Sequence, residues 1–262
     1  MAVICERIGA LEYLVAENIS APHGFTTRLG GVSQGVLGSL NLGIHRGDTE
    51  ENVLKNYEIM GKALGFDVKK AVLSHQTHTN IVLPVDASHH GVGLFGPELP
   101  ECDGLVTNTP GTALVIFTAD CTPILLHDPV TGAVGAVHAG WKGTAAASAQ
   151  KAVEAMVSHY GCDPANIQAA IGPNIKQCCF ETDWDVPKAM LDALGEAANA
   201  HILPKGDKFY LDLTAINSLF LQRAGVTQIQ TACECTRCAP DRFGSARVHG
   251  NDRGSQGAVI VR

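Results

Sequence analysis

Three short strings in this 262-residue chain hold side chains that could do chemistry together. Ser74-His75-Gln76-Thr77-His78-Thr79-Asn80 carries two histidines on a turn between two β-type runs. Thr118-Ala119-Asp120-Cys121-Thr122-Pro123 sets a thiol and a carboxylate at the end of the most apolar stretch, Ala113 to Phe117. Val137-His138-Ala139-Gly140-Trp141-Lys142-Gly143-Thr144 places a histidine before a glycine-rich turn into a helix N-terminus, where anions are also favoured. A soft thiolate with two imidazoles suits zinc or copper, and a catalytic zinc keeps three protein ligands and one open position. The gaps from His78 to Cys121 and on to His138 are far longer than the compact C-x-x-C spacing of structural zinc, so spacing adds no support. Strand-end histidines with satisfied hydrogen bonds are the competing reading.

The elements that must position these strings are short. Helical periodicity runs over Asp48 to Leu64, with Asp48 and Glu51 resembling a capping box, over about Thr144 to Tyr160, and near Trp184 to Ala198. A fourth helix is capped by Asp212 and stopped by Gly225. Between them lie strand-like runs at 71–73, 81–85, 104–106, 113–117, 124–126, 134–137, 167–171, 229–232 and 258–261. Most follow one another through short turns with few helices between them. That order predicts an α+β fold, a single domain over 1–262 with mixed β-sheet layers flanked by helices, rather than a doubly wound parallel sheet. The Gly91-Val92-Gly93-Leu94-Phe95-Gly96 string matches a dinucleotide-binding pattern literally, but Pro97 and Pro100 follow, so no helix opens there to hold a pyrophosphate.

Nineteen Lys and Arg against 26 Asp and Glu give a net charge of −7, which argues against a nucleic-acid or anionic-membrane surface. No apolar run approaches a membrane-spanning length, and the N-terminal stretch carries Glu6, Arg7, Glu12 and Glu17 where a secretory signal is unbroken. These features predict a cytoplasmic protein. Nine cysteines in a reducing compartment read as free thiols, ligands or nucleophiles. Cys233-Glu234-Cys235-Thr236-Arg237-Cys238 offers three thiols where a closed tetrahedral site needs four, and Cys178 or Cys179 supplies another only by folding close; packed or surface thiols are the expected reading. His89-His90 reads as a solvated loop pair.

His-Gln-Thr-His at 75–78, Asp-Gly-Leu-Val-Thr at 103–107, Thr-Ala-Asp-Cys-Thr-Pro at 118–123, Val-His-Ala-Gly-Trp at 137–141 and Ile-Gly-Pro at 171–173 resemble the YfiH family. The opening, His23 to Ser33 and Ser39-Leu40-Asn41-Leu42-Gly43, resembles it too, so the match runs in order over nearly the whole chain. These proteins were once called multicopper polyphenol oxidases or laccases and are now described as purine nucleoside phosphorylases, similar to the human protein FAMIN. The wider fold resembles CNF1-type cysteine hydrolases. The resemblance implies a metal held by His78, Cys121 and His138, zinc with copper possible, and a catalytic group of His75, Asp120 and Cys121. It places Asp103 and Asp120 near the site, and leaves Arg28 and Asn41 either to receive phosphate or ribose or to stabilise a loop. Where the family ends close to Phe-Tyr-Ser-Tyr-Arg-Arg-Asp-Gly, this chain has Phe243-Gly244-Ser245-Ala246-Arg247; Arg247 survives as a substrate-binding candidate and the second aromatic does not.

The activity so implied is phosphorolysis of adenosine, inosine, guanosine and 5′-methylthioadenosine, with adenosine deamination as a second activity; the partners are purine nucleosides and phosphate. Two other classes stay open. One is a metal-independent hydrolase or amidase with Cys121 as nucleophile and His138 or His75 as base. The other is a copper polyphenol oxidase, for which the His-x-His pairs of multicopper oxidases are missing.

Overall fold

The computed structural model describes residues 3–262. In chain order the strands are β1 (Val3–Ile8), β2 (Leu11–Ala16), β3 (His23–Thr26), β4 (Ala71–Leu73), β5 (Val82–Pro84), β6 (Gly104–Thr107), β7 (Ala113–Thr118) and β8 (Thr122–His127). They continue with β9 (Val134–Ala139), β10 (Gln168–Ile171), β11 (Glu181–Thr182), β12 (Ile202–Lys205), β13 (Lys208–Leu211), β14 (Gln228–Thr231) and β15 (Gln256–Val261). The α-helices are α1 (Glu50–Leu64), α2 (Trp141–Ala145), α3 (Ser148–Tyr160), α4 (Asp185–Leu194), α5 (Leu213–Arg223) and α6 (Ala246–His249).

Two six-stranded sheets, ordered β1-β2-β3-β15-β7-β4 and β14-β10-β8-β9-β6-β5, stack face to face, with β11-β13-β12 as a small third sheet. Alternation along each strand shows the layering. In β7, Leu114 and Ile116 point into the seam between the sheets, where they meet Leu125 and Ala136, whereas Ala113 and Val115 point outward to Val53, Tyr57 and Met60 of α1. In β8, Leu125 faces the seam, and Ile124 and Leu126 face Val153 and Met156 of α3 and Phe220 of α5. Helices thus cover both outer faces, giving an α/β/β/α stack. This explains why the central strands read as continuous apolar runs with no polar alternation. The expected α+β class with mixed sheets is what forms.

All nine expected strands are present, with ends shifted by two residues or fewer. The helices differ in instructive ways. Thr49, not Asp48, caps α1, its side chain accepting from Asn52 N, while the Asp48 carboxylate accepts from Ser33, Thr49 and Asn52 and ties the preceding loop. The expected helix over 144–160 is two helices, because Ala147 adopts φ 60° and turns α3 away from α2. The third helix tightens to 3-10 geometry from Gly195. Asp212 caps α5 through Ala215 N as expected. Antiparallel register sets Gly104 opposite Val137 and Thr122 opposite Ala139, so the residue before β6, the turn before β8 and the end of β9 meet at one edge of the sandwich.

Candidate functional site

At that edge Asp103 is fully buried, and its carboxylate collects five donors. Oδ2 accepts from Thr77 N (3.2 Å), Thr79 N (2.7 Å) and Thr79 Oγ1 (2.8 Å). Oδ1 accepts from His78 N (3.1 Å) and lies 2.7 Å from His138 Nδ1. One side chain therefore holds both the turn after β4 and the histidine ending β9. This grip supports His78 at φ 65°, a left-handed conformation that costs a non-glycine residue roughly 1–2 kcal/mol. With Nδ1 of His138 engaged, Nε2 is the atom left to act as a ligand or base.

Cys121 lies in the turn from β7 to β8, its Sγ 3.9 Å from His78 Nε2, and the His78 and His138 rings meet edge to face at 5.0 Å. The potential donor atoms of His78, Cys121 and His138 all lie within 4.8 Å of one another. Space beside them depends on Gly140, where a Cβ would stand 2.8 Å from His78 Cδ2 and 3.3 Å from Cys121 Sγ. Burial pushes the Cys121 thiol up, but the charge and hydrogen bond of His138 and the bond to His78 outweigh it and bring it to about 6. Burial pushes His138 down, and Cys121 and Asp103 reverse this, raising the imidazole to about 9. Asp103 is held at about 2, since its hydrogen bonds to His138 and Thr79 outweigh its burial. The donor set fits a soft divalent metal: one thiol poised as thiolate, and two imidazoles, one of them with its orientation locked by a carboxylate.

A cavity of about 440 Å³ opens over this group. His75 lines it, with Nδ1 3.0 Å from Leu99 O and Nε2 3.6 Å from the Glu98 carboxylate; Glu98 in turn holds His45 at 3.0 Å. Two cations that the motifs did not single out, Arg46 and Arg253, line the same cavity. Arg46 Nε donates to Ser255 Oγ, and the buried Nε of Arg253 has no hydrogen-bond partner. Burial and then the charge of Arg46 depress the Arg253 guanidinium. Two like charges lining one cavity form a receptacle for an anion. The only local signal was arginine beside glycine in two polar loops, Arg46-Gly47 and Arg253-Gly254.

Other candidate residues lie elsewhere. Arg28 donates to the carbonyls of Gly38, Pro240 and Val36, and does not line the cavity. Buried Asn41 closes the Gly43 turn and accepts from Ser255 N, so both residues stabilise the loop. Asp120, at φ 89°, directs its carboxylate away from the cavity to Thr236 Oγ1 (2.6 Å), Ser245 Oγ (2.9 Å) and Arg247 N (2.8 Å). That clamp sets the turn carrying Cys121. The Arg247 guanidinium lies over Phe180 and donates to Glu181 O, outside the cavity lining. The Gly91–Gly96 string forms a loop with Gly91 and Gly93 at positive φ, and Gly93 borders the cavity. No helix among the described residues is long and apolar enough to cross a membrane.

The family described as multi-copper polyphenol oxidoreductase laccase matches residues 22–262. A Deinococcus radiodurans protein named purine nucleoside phosphorylase is 39% identical over 251 residues, covering 95% of this chain and 92% of its own. Purine nucleoside phosphorylase YlmD of Bacillus subtilis is 35% identical over 244 residues, covering 90% of this chain and 86% of its own. The crystal structure of the Bacillus licheniformis hypothetical protein YfiH superimposes with a TM-score of 0.92 over 98% of both chains, at 31% identity. By sequence along nearly its whole length, and by fold, the chain belongs to the YfiH-like family described as multi-copper polyphenol oxidoreductase laccase.

Proposed function

We propose that this protein is a purine nucleoside phosphorylase that cleaves the N-glycosidic bond of adenosine, inosine, guanosine and 5′-methylthioadenosine with phosphate, and that it also deaminates adenosine. The observation that carries this reading is one cavity lined both by Arg46 and Arg253 and by the His78–Cys121–His138 donor group. The names of the relatives support the reaction class. A zinc or copper ion held by His78, Cys121 and His138 would supply a Lewis acid with an open position. Arg46 and Arg253 receive the phosphate and fix its approach to C1′ of the ribose. His75, which lines the same cavity beside Glu98, donates a hydrogen bond or proton to the departing base. Asp103 orients His138 and the His78 turn; Asp120 holds the Cys121 turn. A reducing, cytosolic setting is part of the same proposal and rests on the reading of the nine cysteines as free thiols and ligands.

Phosphate kinetics test the assignment of the arginines. Arg46→Met and Arg253→Met are each expected to raise KM for phosphate by about tenfold or more while leaving the KM for nucleoside within about threefold, since a lost charge-assisted hydrogen bond is worth roughly 1.5–3 kcal/mol. An unchanged phosphate KM in both variants contradicts the assignment.

One observation favours a second reading. Cys121, His138 and Asp103 lie in series, with a depressed thiol, a raised imidazole and a 2.7 Å bond from His138 to the carboxylate, the arrangement of a cysteine hydrolase. Turnover of an amide or ester that survives exhaustive chelation and disappears on alkylation of Cys121 would support it over the phosphorylase.

A further inference from the structure

Far from the cavity, the turns leaving β10 and β14 bring four more thiols together. These strands run parallel side by side, and an isolated bridge between Asn174 and Cys235 extends the pairing past their ends. Cys178 and Cys179 of one turn thereby meet Cys235 and Cys238 of the other, with all four Sγ atoms within 4.8 Å of one another. Among Cys178, Cys179 and Cys238 the separations are 3.4 Å for Cys179–Cys238, 3.6 Å for Cys178–Cys179 and 3.8 Å for Cys178–Cys238. From sequence, Cys233, Cys235 and Cys238 needed Cys178 or Cys179 to fold close, and packed or surface thiols were the expected reading; the fold does bring both adjacent cysteines to Cys235 and Cys238 and leaves Cys233 out.

The spacing is informative. Metal–sulfur bonds of about 2.3 Å in a tetrahedron place sulfurs roughly 3.8 Å apart, close to these values, whereas a disulfide requires about 2.05 Å. Core packing does not account for the group, because Cys178 and Cys238 are exposed yet direct their sulfurs to the same point as buried Cys179 and Cys235. Lys176 N also donates to Cys235 Sγ at 3.4 Å, a main-chain bond that favours the thiolate.

We infer that Cys178, Cys179, Cys235 and Cys238 form a second, closed metal site that takes one zinc ion as a structural tetrathiolate. Binding releases the four thiol protons to solvent and leaves no open position, so this ion has no part in turnover. Its role is to fasten the 235–249 segment to the end of the second sheet. Thr236, between two of the ligands, donates to Asp120, as do Ser245 and Arg247 N farther along, so the staple reaches the turn that carries Cys121.

Metal content separates the two sites. The double variant His78→Ala/Cys121→Ala, purified under reducing conditions with zinc and dialysed, is expected to retain close to one zinc per chain, and adding Cys235→Ser and Cys238→Ser is expected to remove it. Cobalt substitution of the unmutated protein gives a check that depends on no variant folding: four thiolates produce an intense sulfur-to-cobalt charge-transfer band in the near ultraviolet, far stronger than one thiolate can give. A folded His78→Ala/Cys121→Ala protein free of zinc, or cobalt-loaded protein with only the single-thiolate intensity, overturns the inference. So does a disulfide joining any two of the four cysteines in protein kept reduced.

Discussion

Cys121→Ala is expected to abolish metal binding at the cavity and to lower phosphorolysis by at least about 100-fold, with the fold retained. The thiol is the softest of the three donors and the one that the surroundings have tuned, with His138 bringing it to about 6 despite its burial. Alanine leaves two imidazoles, a much weaker set for zinc or copper. Removing Sγ opens no large void, because the atom already borders the cavity. Circular dichroism and metal analysis alongside the rate distinguish this outcome from misfolding: a folded, metal-free, inactive protein is the expected result. A variant with normal metal content and normal rate would remove Cys121 from the site.

Asp103→Asn is expected to be nearly as severe for a different reason. The carboxylate accepts five donors with no exposed surface, and an amide of the same shape can accept only through its oxygen while turning two N–H groups toward donors. The predicted cost is about 3–5 kcal/mol of stability, as for breaking a buried charged pair, together with a roughly 10–100-fold loss of metal affinity as His138 loses its orienting partner. The stability difference should depend on pH. Because Asp103 is held at about 2 in the fold, below the usual carboxylate value near 4, its ionised form adds stability that is fully present above pH 4 and is lost as pH falls through about 2. Urea unfolding of the metal-free proteins checks this: the gap between wild type and Asp103→Asn should be full at pH 7 and shrink by about 2 kcal/mol toward pH 2.

Strands that are buried on both faces were legible from sequence because they need long apolar runs: β7, β8, β9 and β15 announce themselves. β1 and β2 did not, since β1 is an exposed edge whose Glu6 and Arg7 break any pattern, and their pairing follows from a hairpin with Gly9 at positive φ. The break at Ala147 was hidden because an alanine-rich run shows no stop signal. At the site, the grouping of His78, Cys121 and His138 came from resemblance, not from spacing; what brings them together is antiparallel register and the Asp103 carboxylate, both products of tertiary structure. Arg46 and Arg253 lie 207 positions apart in loops at opposite ends of the chain and converge only when β15 pairs beside β3 and β7. Arg28 carried the stronger motif, yet its fork is taken up by three main-chain carbonyls. The cysteine group shows the same limit, because Cys178 and Cys179 reach Cys235 and Cys238 through parallel pairing that spacing does not encode.

Product analysis of adenosine incubated with metal-loaded protein, with and without phosphate and beside Cys121→Ala, decides whether the cavity carries out phosphorolysis. Adenine and ribose 1-phosphate formed only when phosphate and Cys121 are both present is the predicted result, with inosine appearing in the absence of phosphate as the second activity. Free ribose in place of ribose 1-phosphate, or no product that depends on Cys121, would contradict the phosphorylase reading.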